Sequence, residues 1–409
     1  MIVSKLVRLR NQATNMSPAD FLKGVDYFDL PTVSGQRVNE DSCRNIATAY
    51  RCINTISDDI ASMPLQTFMS RAPGQIERMR PDFRLENIAW LLEISPNRWM
   101  TPLVFKKMAV MWLLTHGAAW IWQPPRQVGR RRELFLLPTN VTRPVFDGAQ
   151  LYYEVTMPGW PVQRYPDVEV LPLLINSTNG INGKGVISYA RETLGRQLSN
   201  YSTQNKIAGK GLNPSGIAWM AGEVNKEARK KFRETYEETM NEAGIAIFDP
   251  RVTKFEAITL KPVDAQFLES IEENDKEIAN FFSFPLHKLN SGKQAYNSNE
   301  QQDLEYLKSC INPYLVQWEQ AAALRWLTEA EQNYIYFRFN RDSLLRTDAK
   351  TRAEVIEKRI QSGVLTPNEG RQIDDMPAYP GGDGHYFPAN MAAIQPDGSL
   401  VSGGANAKP

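Results

Sequence analysis

Residues 262–319 read PVDAQFLESIEENDKEIANFFSFPLHKLNSGKQAYNSNEQQDLEYLKSCINPYLVQWE, and this stretch decides the architecture. Asp264 is a residue type that caps helices and Pro285 one that ends them. A helix from Asp264 to Phe284 would be ~31 Å long. Phe267, Leu268, Ile271, Ile278, Phe281 and Phe282 share one face of it, with Glu269, Glu273, Lys276 and Asn280 opposite. The acids Asp264, Glu269, Glu272, Glu273, Asp275 and Glu277 outnumber Lys276, so the polar face is acidic. A loop over 286–298 follows and carries Lys288, Lys293, Gln294, Tyr296 and Asn297. Beyond it Leu304, Leu307, Ile311, Leu315, Trp318 and Ala322 keep a helical spacing straight across Pro313. Proline removes one backbone bond and crowds the carbonyl of Ser309, so this helix is expected to kink there and continue. The pattern is a rod, a probe and a kinked strut.

Upstream, residues 1–44 carry little periodicity and read as an N-terminal arm. From Asn45, the positions Ile46, Tyr50, Ile53, Ile56, Ile60 and Met63 make an apolar stripe that Pro64 stops. A second helix starts at Thr101, with Pro102 in the first helical position, and runs through Phe105, Met108 and Trp112 to Gly117. Strand-like runs follow at AAWIWQ (118), ELFLLP (133), LYYEVT (151) and VEVLPLLI (168), which gives an α+β fold class. Arg130, Arg131 and Arg132 read as a solvated hairpin tip. A mostly polar helix over 187–209 ends in the turn residues GKGLNPSG. Residues 213–261 then read as an insert of strands and one helix capped by Asn225. That helix carries Lys226, Arg229, Lys230 and Arg233 early and acids late, the reverse of what the macrodipole favours, as an interaction surface or an ordinary exposed helix would. Residues 346–375 read as two short helices, with Gly363 closing the first and Thr366-Pro367-Asn368-Glu369 opening the second. From Met376 the chain is rich in Gly and Pro and reads as a flexible tail.

The 409 residues are 42% hydrophobic, enough for real cores, and 47 Lys and Arg stand against 46 Asp and Glu. That balance argues against a broad basic face that grips nucleic acid. Cys43, Cys52 and Cys310 fit neither a zinc knuckle nor a disulfide framework and read as reduced thiols packed in helices. The longest apolar run, Met108–Leu114, is too short to cross a bilayer, and the N-terminus lacks a signal-peptide core. GINGKGV at 180 resembles a phosphate loop only superficially, because its glycines stand too close and Gly185 replaces the magnesium-binding hydroxyl. His116, His287 and His385 have no histidine or cysteine pair in local reach, so no metal ligand set, cofactor or catalytic residue is assigned. The acidic helix is read as a solvated face rather than a general acid and base.

Four stretches resemble the portal proteins of tailed bacteriophages, in the family typical of long, flexible-tailed phages. They are ATAYRCINTISDDIASMPLQTF at 47, SPNRWMTPLVFKKMAVMWLLTHGAAWIW at 95, GLNPSGI at 211, and DAQFLE, EIANFFSFP and SNEQQDLEYLKSCINPYLVQWEQ from 264 onward. Two departures stand out. Ser283-Phe284-Pro285-Leu286 replaces a usual Gly-Val-Pro-Pro turn, and Gly183-Lys184-Gly185-Val186-Ile187 replaces a usual Gly-x-Ser-Pro-Leu. The resemblance implies a non-enzymatic subunit of a homo-oligomeric ring, dodecameric in assembled particles, at one vertex of the capsid. It would act in the virion after assembly in the host cytoplasm. Its parts would be a wing (45–182 and 299–345), stem helices (183–212 and 262–285), a clip (213–261), a tunnel loop (286–298) and a crown (346–375), followed by the tail over 376–409. Double-stranded DNA would pass the tunnel-loop residues Lys288, Lys293, Gln294, Tyr296 and Asn297 and the acidic stem face of Glu269, Glu273 and Glu277. The clip residues Lys226, Arg229, Lys230 and Arg233 would meet the terminase large subunit and later the head-completion adaptor. The major capsid protein would surround the ring, and no membrane is implied. Two other readings are a different phage head or tail structural protein, and an enzyme with a site assembled from distant residues.

Overall fold

Asn39 and Ser42 form a reciprocal capping box that starts α1 (Glu40–Arg44), and Ile46 leads into α2 (Ala47–Ser62). The computed structural model describes residues 32–72, 75–82, 88–125, 132–209, 215–220, 226–227, 230, 252–258, 264–289, 299–341, 349–374, 376–385, 392–394 and 400–402. The arm expected over 1–44 is therefore folded from Thr32 onward, with Val38 and Cys43 fully buried. In α2, Cys52, Ile53, Ile56 and Ile60 are buried as their spacing requires, but Tyr50 is 51% exposed and Ala49 turns inward in its place. After α3 (Ile88–Glu93) comes α4 (Pro102–His116), where Thr101 Oγ1 accepts the Val104 N–H and Gly117 closes the helix at φ 87°. Helices α2 and α4 pack together. Lys106 of α4 is buried beside them, and its Nζ donates to the Met63 carbonyl at the negative end of α2. Burial pushes that ammonium down to about 8.

Three small antiparallel sheets belong to this part of the chain. Strands β1 (Leu65–Ala72) and β2 (Gln75–Arg78) pair with a strand from late in the chain, β11 (Ile335–Phe339), with Leu65 opposite Phe339. Strands β3 (Ala118–Trp122) and β4 (Phe135–Leu137) share a sheet with β8 (Val170–Leu174), and β5 (Thr142–Asp147), β6 (Gln150–Val155) and β7 (Gln163–Pro166) form a meander. The last two sheets share a core of Trp120, Leu137, Tyr153, Val155 and Val170. Trp120 and Tyr153 have ring centroids 4.8 Å apart. The sequence runs at 118, 133, 151 and 168 thus lie in β3, β4, β6 and β8. Short β2, exposed from Ile76 to Arg78, and the part-buried β5 and β7 lacked a legible alternation.

Two glycines of GINGKGV, Gly183 and Gly185, are explained by backbone approach. Ile175 N donates to Gly117 O at 2.9 Å and Lys184 N to Ile175 O at 3.0 Å, which draws three segments together. A Cβ on Gly183 would stand 1.7 Å from Gly117 O, and one on Gly185 1.9 Å from Thr115 O. These residues are close-packing positions against the end of α4, not a phosphate cradle.

After the short α5 (Val186–Tyr189) come α6 (Arg191–Gly209), the antiparallel pair β9 (Ser215–Met220) and β10 (Val252–Ile258), and α7 (Asp264–Phe281). The strand-like run GIAIFDP at 244–250, a third strand expected in the insert, lies outside the described residues. Helix α7 ends earlier than Pro285 alone implies. Phe284 N donates to Ala279 O and Ser283 N to Asn280 O, while Ser283 sits at φ 51°, the left-handed turn that usually takes glycine. Helix α8 (Asn299–Tyr306) leads through a π-helical turn, Leu307–Ile311, into α9 (Asn312–Trp326). Pro313 therefore enters at the start of α9, where its missing N–H costs least, and the Asn312 N–H reaches five residues back to Leu307 O. Trp318 of α9 is buried and meets Phe339 edge-on at 6.0 Å.

Chain contacts group residues 1–296 with 305–340 in one unit, and 297–304 with 341–409 in a second. In the second, α10 (Ala349–Gln361) and α11 (Pro367–Ile373) meet at Gly370, where a Cβ would come 2.9 Å from Ile360 Cδ1. Thr366 and Glu369 form the expected capping box. The flexible tail expected from Met376 is corrected over 376–385. Asn368 Nδ2 donates to Tyr379 O at 3.0 Å and Asp383 Oδ1 at 2.7 Å, and Asn368 Oδ1 accepts from Tyr379 N at 3.0 Å. Turn residues hold this segment through side-chain to backbone bonds, which composition does not reveal.

Three substitutions test these turns by denaturant unfolding. Gly185→Ala should destabilise by ~3 kcal/mol or more, whereas Gly180→Ala, left-handed but in open space, should lose only about 1 kcal/mol. Ser283→Gly should stabilise by ~0.5–1 kcal/mol, because the left-handed cost exceeds glycine's added chain entropy; a loss of stability would contradict the turn.

Candidate functional site

Helix α6 lies against α7, and a polar seam joins them to α2. Ala190, Leu194 and Gln197 face inward, and the fully buried Gln197 receives a hydrogen bond from Asn274 Nδ2 at 3.2 Å. Asp275 Oδ1 accepts from Thr48 Oγ1 at 2.6 Å and from Gln197 Nε2 at 3.4 Å. Either amide left alone in this seam would carry a desolvation cost of ~1–3 kcal/mol. Glu277 pairs with Arg196 and also accepts from Thr193 at 3.3 Å. Both charged partners are about half exposed, so that ion pair adds orientation more than stability.

The acidic face of α7 is thus divided. Glu272 and Glu273 are exposed, Glu277 is exposed but engaged by α6, and Glu269 lies in the helix. Asn274 is buried between Ile271 and Ile278, and Phe281, expected on the apolar face, is 39% exposed. Asn274 fills the gap in the very stripe that predicted burial, and Gln197 continues the apolar stripe of Ala190 and Leu194. Those two spacings were the available signals for the seam.

At the far end of α7, Phe282 and Phe284 are both buried on either side of the left-handed Ser283. The chain then makes a single 3-10 turn over Leu286–Lys288. Arg51 of α2 donates to Leu289 O at 3.1 Å. Tyr306, 1% exposed, donates its hydroxyl proton to Asp59 Oδ2 at 2.8 Å. Its ring meets Phe284 edge-on at 5.8 Å, and Lys288 Nζ stands 4.2 Å from the ring centroid. Within the π turn, Cys310 Sγ donates to Phe282 O at 3.6 Å. Lys288 was predicted on the loop; Tyr306, Asp59 and Arg51 were not, because their partners lie far away in sequence. Lys293, Gln294, Tyr296 and Asn297 lie outside the described residues.

Burial holds the thiols of Cys43, Cys52 and Cys310 up to about 12, so they stay protonated at neutral pH. His116 Nε2 lies 3.5 Å from Glu40 and its Nδ1 2.8 Å from Thr115 Oγ1, a structural placement at the end of α4. Among the described residues, no group of three or more His, Cys, Asp or Glu could hold a metal ion, and no helix is long and apolar enough to cross a membrane. Lys226 and Lys230 are exposed and helical. Arg229 and Arg233 lie outside the described residues.

The family model for the phage portal protein matches residues 47–375, which takes in α2, the seam, the loop base and the π turn. The portal protein of Enterobacteria phage HK97 is 27% identical over 357 residues, covering 85% of this chain and 82% of that protein. A chain from the neck of an empty GTA particle, solved with C6 symmetry, has a TM-score of 0.55 at 18% identity, covering 85% of this chain and 96% of that one. An HK97 family phage portal protein from Corynebacterium diphtheriae has a TM-score of 0.54 at 13% identity, covering 77% and 98%. The two structures share the fold; the match across 47–375 is what assigns the lineage, and this chain belongs to the phage portal protein family.

Proposed function

We propose that this chain assembles into a homo-oligomeric ring, a 12-mer in the particle, at one vertex of a phage head, and that DNA enters and leaves through its centre. The observation that carries this reading is the family match, which spans both long helices and the base of the loop between them. In this reading α6 and α7 are the stem, β9 and β10 belong to the clip, and residues 286–298 are the tunnel loop. The wing takes 45–182 and 299–345 and the crown 346–375. The terminase large subunit and then the head-completion adaptor dock on the clip, through Lys226, Arg229, Lys230 and Arg233. The major capsid protein surrounds the ring. The role is structural, in the virion, with assembly in the host cytoplasm.

Electrostatics supports a conduit. A polyanion that must slide is held fast if many lysines per subunit, multiplied around a ring, release its counterions. Near-equal totals of acid and base and the exposed Glu272 and Glu273 fit a surface that does not stick. A small set of adjustable contacts then suffices to engage phosphates, and Lys293 with Gln294, Tyr296 and Asn297 supplies the chemistry for it.

Lys293→Glu tests this directly. Native mass spectrometry should find the same ring as for the parent chain, while DNA-filled particles fall by on the order of tenfold. Normal packaging and retention with Lys293→Glu would remove Lys293 from that role.

A further inference from the structure

Lys288, at the base of the loop segment, has surroundings that give it a duty other than phosphate contact. Lys288 is followed by a backbone already fixed at three points. Its own N–H donates to Pro285 O at 3.1 Å, Leu289 N donates to Leu286 O at 3.1 Å, and Arg51 holds Leu289 O at 3.1 Å. Its ammonium stands over the face of Tyr306, whose hydroxyl proton is directed into the Asp59 carboxylate. A phenol that donates to a carboxylate keeps a more electron-rich ring, and the carboxylate behind it adds a second attraction for the cation. The phenol keeps its proton, since burial, with Asp59 adding, raises its titration far above the ordinary tyrosine range. A phosphate that sought Lys288 would have to displace the ammonium from the ring and bring its own charge toward Asp59.

We propose that Tyr306 is a positioning residue: it holds Lys288 on its ring face, ties the turn over Leu286–Lys288 to α2 through Asp59, and so withholds Lys288 from phosphates. This rests on the reading of the segment as a tunnel loop. Tyr306 is suited to it by position, because it directly precedes the π turn whose Cys310 also grips Phe282 O. The end of α7, α2 and the start of the strut therefore converge on one side chain.

Amine acetylation followed by mass spectrometry tests the proposal on the full purified chain. Lys276, exposed on α7, serves as the reference amine. Lys288 should acetylate about two- to five-fold more slowly than Lys276. Tyr306→Phe keeps the ring face and should leave Lys288 slow, whereas Tyr306→Leu should raise it to the Lys276 rate. Lys288 as fast as Lys276 in the parent chain, or fast in Tyr306→Phe, overturns the clamp; so does an unchanged slow rate in a folded Tyr306→Leu chain. If Tyr306→Leu does not fold, the parent chain and Tyr306→Phe decide. In DNA-filled against empty particles the Lys288 rate should be unchanged; DNA-dependent slowing of Lys288 overturns the proposal. The labelling of the purified chain needs no DNA, so it stands or falls apart from the conduit reading: normal packaging by Lys293→Glu with an intact labelling pattern would sink that reading alone.

Discussion

Phe282 and Phe284 are both buried although the chain reverses its helical course between them, and the geometry of the loop base follows from that demand. At a helix end, where side chains two residues apart point to opposite sides, two aromatics enter one core only if the backbone between them leaves the helical conformation. Ser283 accepts the left-handed region to do so, at a cost offset by the burial of two rings of ~2–3 kcal/mol each. With that turn in place, Phe282 O faces the Cys310 thiol, Phe284 meets the edge of Tyr306, and Lys288 is carried over the ring. The π turn answers the same requirement from the other side. Widening the helix at Leu307–Ile311 lets Pro313 enter without leaving a buried N–H gap in the ladder.

Long, periodic elements were legible in the sequence for a plain reason: burial of one face imposes a repeat that survives without knowledge of partners. Helices α2, α4 and α7, the caps at Thr101 and Thr366 and the existence of strands β9 and β10 all follow from local signals. What the sequence concealed depends on distant partners. Gln197 and Asn274 look like surface amides until each is the other's partner, and β11 pairs with β1 across most of the chain. Tyr306 reads as one aromatic residue in a helix; its role appears only when Asp59, Phe284 and Lys288 are placed around it. The cause of the glycines at 183 and 185, backbone contact with the end of α4, needed coordinates.

The candidate site is accordingly a mechanical one. Its polar groups are paired across helices, and several of its charged side chains are engaged by neighbours within the subunit. Asp275 and Glu277 spend their charge on α2 and α6, Asp59 on Tyr306, and Lys288 on a ring face. A subunit that satisfies its own charges leaves few to offer a passing polyanion, and those it leaves gain importance in proportion.

The most direct measurement is a cryo-electron microscopy map of the assembled chain. The account predicts a closed ring with a central hole, the segment after Lys288 at the wall of that hole, and the β3–β8 and β5–β7 sheets at the periphery. A ring whose hole is lined by those sheets, with the segment after Lys288 on the outside, or a chain that forms no ring, would contradict it.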